Sequence, residues 1–176
     1  MQKIRKKHVL KCSVYSSLCT LKRVCVIMIV YYIFCNMIKK SESIELYTDG
    51  GSRGNPGLAA IGVWVPTLAK TYGKCIGTAT NNDAEYQALI FGLKKIKALI
   101  GKKRAKTVTV TCFLDSELIV RHINHTYKIT DSAMQQYFLV VWNLMLDFGH
   151  VTVQHIPRAE NTIADRAVND ALDACS

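Results

Sequence analysis

The apolar positions of this chain recur with two periods, and the points where the period changes divide residues 44–174 into strands and helices. Ile44–Tyr47 alternates apolar with polar side chains, which predicts a strand ending at Asp49. Gly50–Gly57 (GGSRGNPG) predicts a tight loop, with three glycines before Pro56 and one after it. Ala59–Pro66 and Tyr72–Ala79 predict two more strands, joined by a connection short enough for antiparallel pairing. The period then lengthens. Thr80-Asn81-Asn82-Asp83 offers several N-caps for a helix reaching about Ile100, with Ala84, Ala88, Leu89, Leu93 and Ile96 on one face and Gly101 placed to cap its end.

Thr107–Leu114 is β-rich and predicts a strand ending at Asp115. A short helix is predicted over Glu117–Asn124 and a longer amphipathic one over Ser132–Phe148. Val151–Ile156 predicts a last strand. Asn161–Ala174 predicts a closing helix with Ile163, Ala164, Ala167, Val168, Ala171 and Leu172 on its apolar stripe. The order is β-β-β-α-β-α-α-β-α, an α/β chain with no internal repeat and no low-complexity segment.

The 176 residues accommodate one domain of ordinary size plus a tail, and the 49% hydrophobic content supplies a core. The boundary falls near residue 41: a domain over 41–176 and a basic, apolar extension over 1–40. Within the extension, Val24–Ile38 is an apolar run flanked by Lys22-Arg23 and Lys39-Lys40. It is short for a membrane span, which takes about 20 residues, and suits the length of a signal h-region, but no small-residue cleavage site follows it. Three readings compete: a membrane anchor or signal, an organelle-targeting sequence, and an upstream start that is not part of the working protein. The last is favoured, because Met37 stands a few residues before the first strand. The expected location is cytoplasmic, with anchoring through residues 24–38 the lesser alternative.

The formal net charge of +10 is uneven. Residues 1–40 hold nine Lys/Arg and no acid, while 41–176 hold 14 basic and 13 acidic residues. The domain is nearly neutral overall, so net charge by itself does not argue for nucleic-acid binding. The seven cysteines show neither CxxC nor Cys/His spacing, which predicts reduced thiols and neither a disulfide frame nor a zinc site.

Four acids stand in four separate elements: Asp49 and Asp115 at strand ends, Glu85 and Asp165 in the first turns of helices. Each has an ordinary reading. Asp49-Gly50 suits a turn, Asp115-Ser116 a helix cap, and Glu85 and Asp165 are favourable helix-end charges. Acids beside buried runs are costly unless a cation offsets them, and in α/β sheets ligands bind beyond the carboxyl ends of parallel strands. If the first and fourth strands are parallel neighbours, Asp49 and Asp115 sit side by side.

The segments around these acids carry a resemblance. TDGGSRGNPG at Thr48–Gly57, TNNDAE at Thr80–Glu85, LDSELIV at Leu114–Val120 and HIPRAENTIADRAVNDAL at His155–Leu172 resemble, in order, the four signature segments of the type 1 ribonuclease H family. The resemblance implies a five-stranded mixed sheet, three strands antiparallel and two parallel, with helices on both faces. It implies an endonuclease that cuts the RNA strand of RNA/DNA hybrids and leaves 5′-phosphate and 3′-hydroxyl ends. Two Mg²⁺ or Mn²⁺ ions would be held by Asp49, Glu85, Asp115 and Asp165, one lowering the pKa of the attacking water and the other stabilising the leaving oxygen.

By the same resemblance His155 moves a proton, with Arg158 the alternative; a strand-end residue and a phosphate contact are their plain readings. Asn55, Asn81 and Asn82 match positions facing the hybrid's minor groove, Gly50 and Gly51 bring backbone close to the RNA, and Ser116 matches a further substrate position. For Asn81, Asn82 and Ser116 the plain reading is helix capping. The chain resembles the compact branch that lacks an extra basic helix, since only 122–131 separates the short helix from the longer one. Its dense basic run, from Lys94 to Lys106, reads plainly as a solvated helix end. The expected protein is a monomer with no obligate protein partner; double-stranded RNA is a further candidate substrate. A non-catalytic hybrid-binding module on the same fold is the alternative.

Overall fold

The computed structural model describes residues 42–175. The chain divides into two units, 1–41 and 42–176; the readings of the extension, including the apolar run 24–38 and the start at Met37, lie outside the described residues. Among the described residues no helix is long and apolar enough to cross a membrane.

Five strands form one sheet: β1 (Ser43–Gly54), β2 (Gly57–Val65), β3 (Lys70–Ala79), β4 (Thr109–Leu114) and β5 (His150–His155), in the order β3-β2-β1-β4-β5. β1 and β3 each pair antiparallel with β2, while β4 pairs parallel with both β1 and β5. This is the mixed sheet the sequence predicts, with the first and fourth strands adjacent and parallel.

The helices are α1 (Asn81–Ile100), α2 (Lys102–Ala105), α3 (Glu117–Ile123), α4 (Ser132–Met145) and α5 (Thr162–Ala174). α1 lies against β1 and β2 on one face and carries α4 outside it; α5 lies against β1, β2 and β3 on the other face. α1 starts sharply because Thr80 and Asp83 form a reciprocal capping box, so the cap is Thr80 and not Asn81 or Asn82. Its apolar stripe, with Tyr86, Leu89, Leu93 and Ile96 fully buried, meets Ile44, Leu46 and Val63 from the same face of the sheet. On the opposite face, Gly62 lets α5 lie directly on β2. A Cβ there would collide with the Ala164 carbonyl oxygen and sit 2.9 Å from the Val168 side chain.

Three expectations need correction. The stretch 50–54 is not loop: β1 continues through it, because β2 pairs with it from Gly50↔Ile61 to Gly54↔Gly57. The turn shrinks to Asn55-Pro56. The short helix α2 was not predicted, since a four-residue turn leaves no apolar period. The thiols are not all reduced. Cys112 is free and buried, but Cys75 on β3 and Cys175 after α5 are joined in a disulfide between residues 100 apart in sequence. Only the tertiary approach of α5 to β3 brings them together.

Candidate active site

Asp49 is placed by the change of partner along β1. The parallel ladder with β4 ends at Thr48↔Leu114, whereas the antiparallel ladder with β2 carries β1 on to Gly54. Asp49 is therefore held by strand structure on one side and looks past the end of β4 on the other. Asp115 follows the last residue of β4. Glu85 enters from the start of α1, and Asp165 lies in the first turn of α5.

All four acids line one cleft of about 500 Å³, together with Arg158, Gly50, Gly51 and Asn81. Carboxylate oxygens of Asp49, Glu85 and Asp115 lie within 4.8 Å of one another, close enough to hold one cation. Asp165 stands beside this triad. Its Oδ1 accepts from Arg158 at 2.5 Å, and its Oδ2 accepts from Asn169 Nδ2 at 3.1 Å.

The triad fits a hard cation by two observations. Its donors are carboxylate oxygens without His or Cys, and Glu85 Oε2 is buried with no hydrogen-bond partner. A buried carboxylate oxygen without a donor is costly, and a cation among these three acids would satisfy it. The titration behaviour agrees. Burial, then the charges of Asp115 and Asp165, push the Asp49 carboxyl up to about 7. Burial, then Asp49 and Asp115, hold Glu85 well above the usual carboxylate range. The hydrogen bond to Asp165 raises the Arg158 guanidinium, which stays charged at any working pH.

The other predicted site residues divide. Gly50 and Gly51 line the cleft, and Asn81 Oδ1 accepts from Ser52 N (2.9 Å) and Ser52 Oγ (2.8 Å). Asn55 does not line the cleft; its Oδ1 accepts from Asn81 N at 3.1 Å and so holds the β1–β2 turn against the start of α1. Asn82 is half-buried beside Asn81 and outside the cleft lining. Ser116 is the N-cap residue of α3 without a side-chain capping bond. His155 is exposed at the last position of β5 and is not among the cleft residues, whereas Arg158 is.

Two residues escaped the sequence reading. Asn161 is 1% exposed, and its Nδ2 donates to the Thr48 carbonyl (2.9 Å) and to Asp115 Oδ1 (3.1 Å). It fastens the start of α5 to the ends of β1 and β4 and orients Asp115. Nothing in the periodicity marks it, because its two anchoring partners are far away in sequence. Asn169 stands four residues after Asp165, a spacing on one helix face that could have pointed to it.

Gly50 has a packing reason beyond any substrate contact. A Cβ there would collide with Ala84 backbone atoms and with Glu85 N, so β1 and the first turn of α1 approach only because the side chain is missing. We expect Gly50→Ala to destabilise the fold by about 3 kcal/mol, the upper range for overpacking against backbone, and to displace Glu85. Urea unfolding checks this; a loss under about 1 kcal/mol would mean that the two elements separate easily.

Residues 48–171 match the family described as reverse transcriptase-like. The bifunctional protein Rv2228c of Mycobacterium tuberculosis is 36% identical over 138 residues, covering 76% of this chain and 36% of that protein. Ribonuclease HI of Halobacterium salinarum is 35% identical over 135 residues, covering 74% of this chain and 64% of that protein. The chain thus spans less than two thirds of the length of these curated relatives. Among solved structures, LC11-RNase H1 in complex with an RNA/DNA hybrid superposes with a TM-score of 0.70 at 36% identity, over 75% of this chain and 98% of that one.

Proposed function

The chain belongs to the type 1 ribonuclease H family, and on that premise we propose that it is an endonuclease hydrolysing the RNA strand of RNA/DNA hybrids, leaving 5′-phosphate and 3′-hydroxyl ends. The observation that carries the reading is the convergence of Asp49, Glu85, Asp115 and Asp165 on one cleft, with Glu85 Oε2 buried and partnerless at its floor. The solved complex of a relative with a hybrid supports the substrate class.

The cofactor we propose is two Mg²⁺ or Mn²⁺ ions, held by the four acids. Bound there, they supply a lowered pKa for the attacking water and a positive charge for the leaving 3′ oxygen. The chain's own residues do the rest. Asn161 keeps Asp115 turned toward the cleft. The network of Ser52, Asn55 and Asn81 holds the β1–β2 turn beside the start of α1, where polar groups can meet a 2′-hydroxyl.

Of the two candidate residues, His155 and Arg158, Arg158 is the better placed to touch the scissile phosphate. Its side chain is 77% exposed, so it can leave Asp165 and follow a scissile phosphate; breaking so exposed an ion pair costs under about 1 kcal/mol. As a fixed cation, it acts by holding phosphate and stabilising departing charge. A proton-transfer role would fall to His155, whose ring lies outside the cleft.

A labelled hybrid incubated with the protein and Mg²⁺ tests the reading, with double-stranded RNA as a second arm. Hybrid cleavage that needs the metal is expected. Binding without cleavage would make the protein a hybrid-binding module instead. Arg158→Gln is expected to slow turnover about 10-fold or more and His155→Ala less; the reverse order would restore the histidine. A monomer in the cytoplasm is the proposed setting. The Cys75–Cys175 bond is the observation against that compartment, and thiol titration of protein drawn directly from the cytosol decides it.

A further inference from the structure

The near-neutral domain is strongly polarised. Residues 50–114 carry ten Lys/Arg (Arg53, Lys70, Lys74 and seven from Lys94 to Lys106) against only Asp83 and Glu85. Residues 115–175 carry four basic residues and eight acids. Within the basic half, Arg53 pairs with Asp173, Lys97 with Asp147 and Arg104 with Glu42. Lys74, Lys94 and Lys95 form no ion pair among the described residues, and no acid occurs in β2, in β3 or in α1 after Glu85.

Lys74 and Lys94 line a shallow groove between β3 and α1, together with Ile76, Gln87 and Phe91, and Lys95 stands beside it over the Phe91 ring. Aromatic rings prop the cations up: the Lys95 ammonium stands 5.1 Å from the centroids of both Tyr72 and Phe91, and that of Lys74 stands 6.0 Å from Phe91. Stems resting on rings keep the ammonium groups presented to solvent and limit the rotamer entropy lost on binding. The groove is separate from the acidic cleft but shares α1 with it, since Gln87 lies two residues beyond Glu85. At 1.5 Å per residue, Lys94 lies about 14 Å along the axis from Glu85. A duplex rises about 3.4 Å per step, so that is roughly four base pairs.

We propose that the Lys74–Lys94–Lys95 face is a second docking site for the phosphate backbone of the hybrid, gripping the duplex to one side of the cleft. It rests on the hybrid substrate proposed above. The physical need is plain: the cleft itself is acidic and repels a polyanion, so affinity must come from cations outside it. Charge complementarity chooses the occupant, because three lysines without an ion pair among the described residues, Lys74 on β3 and the consecutive Lys94 and Lys95 on α1, suit neighbouring phosphates of a duplex backbone.

The test is binding without turnover, by fluorescence anisotropy in EDTA on a labelled hybrid of about 20 base pairs, long enough to reach Lys94 from the cleft. Wild type is compared with the triple variant Lys74→Gln/Lys94→Gln/Lys95→Gln and with the corresponding triple Lys→Arg variant, all checked by thermal unfolding. The Gln variant is expected to bind about tenfold or more weakly at low salt, with the slope of log K against log salt reduced by roughly 2 to 3, near 0.9 per lost phosphate contact. The Arg variant is expected to keep both. Equal affinity and slope in the Gln variant would overturn the proposal even if wild type cleaves hybrids. Wild type that binds through these lysines yet never cleaves would leave this face standing and end the nuclease reading. Loss of binding to phosphatidylserine vesicles with hybrid binding unchanged would assign the face to a membrane and overturn the proposal. No hybrid binding by wild type would overturn both.

Discussion

Asp115→Asn is expected to lower the cleavage rate by on the order of 10³-fold while making the protein more stable in the absence of metal. Both effects have one cause. Asp115 supplies one of the three carboxylate oxygens that cluster within 4.8 Å, so an amide there removes a full negative charge from the place where cations are to be held. Losing roughly 4 kcal/mol of metal-assisted stabilisation corresponds to that rate change. The same charge is the largest electrostatic contribution pushing up the Asp49 carboxyl. Its removal relieves repulsion in the folded state, so the melting temperature in EDTA should rise. Asn161 Nδ2, which donates to Asp115 Oδ1, can still donate to the amide oxygen, so the strand end keeps its place. Steady-state cleavage and thermal unfolding together check the pair of effects. Retained activity would remove Asp115 from the site; lost activity with a lower melting temperature in EDTA would point to a folding defect.

Without divalent metal, stability is expected to fall as pH rises from about 4 to about 7, and added Mg²⁺ should restore it. Asp49 is 6% exposed and its folded carboxyl is pushed up to about 7, above the unfolded value near 3.9. A group raised in the folded state binds its proton more tightly there, so its contribution is complete below the unfolded pKa and is lost as pH climbs through the folded one. Three units at 1.36 kcal/mol each make the loss about 4 kcal/mol, or about 10 °C for a domain of this size. Glu85, raised in the same direction chiefly by burial, adds to it. A cation in the cleft favours the ionised acids and reverses the trend. The gap between melting curves with Mg²⁺ and with EDTA should therefore widen from pH 5 to pH 8. A constant gap across that range would mean that burying Asp49 carries no such cost.

How far the sequence could be read depended on how local each cause was. The strands and helices were legible because alternation and the 3.6-residue stripe are written residue by residue: α1 ends just before Gly101, and β4 ends at Leu114, just before Asp115, as the apolar run predicts. The glycine-rich stretch after Asp49 misled, because turn-forming residues look the same in a loop and in a strand held open by its partner. Pairing with β2 extends β1 to Gly54, and among those glycines Gly50 serves the close approach of α1 and Gly51 that of α5. The helix cap at Thr80 was one of four polar candidates in a row, and only the reciprocal bond with Asp83 distinguishes it.

By itself the sequence determined the order of elements and the four acids, because each is carried by short-range pattern; the parallel neighbours in the sheet followed only from the family resemblance. Tertiary structure alone decided how those acids share one space. It left Glu85 Oε2 buried without a donor, put Asn161 between Thr48 and Asp115, turned Arg158 into the cleft while leaving His155 outside, and joined Cys75 to Cys175. It also showed that a domain of nearly zero net charge presents a lysine face beside an acidic cleft. Burial and proximity between residues far apart in sequence set pKa, pairing and field, and none of these leaves a period in the chain.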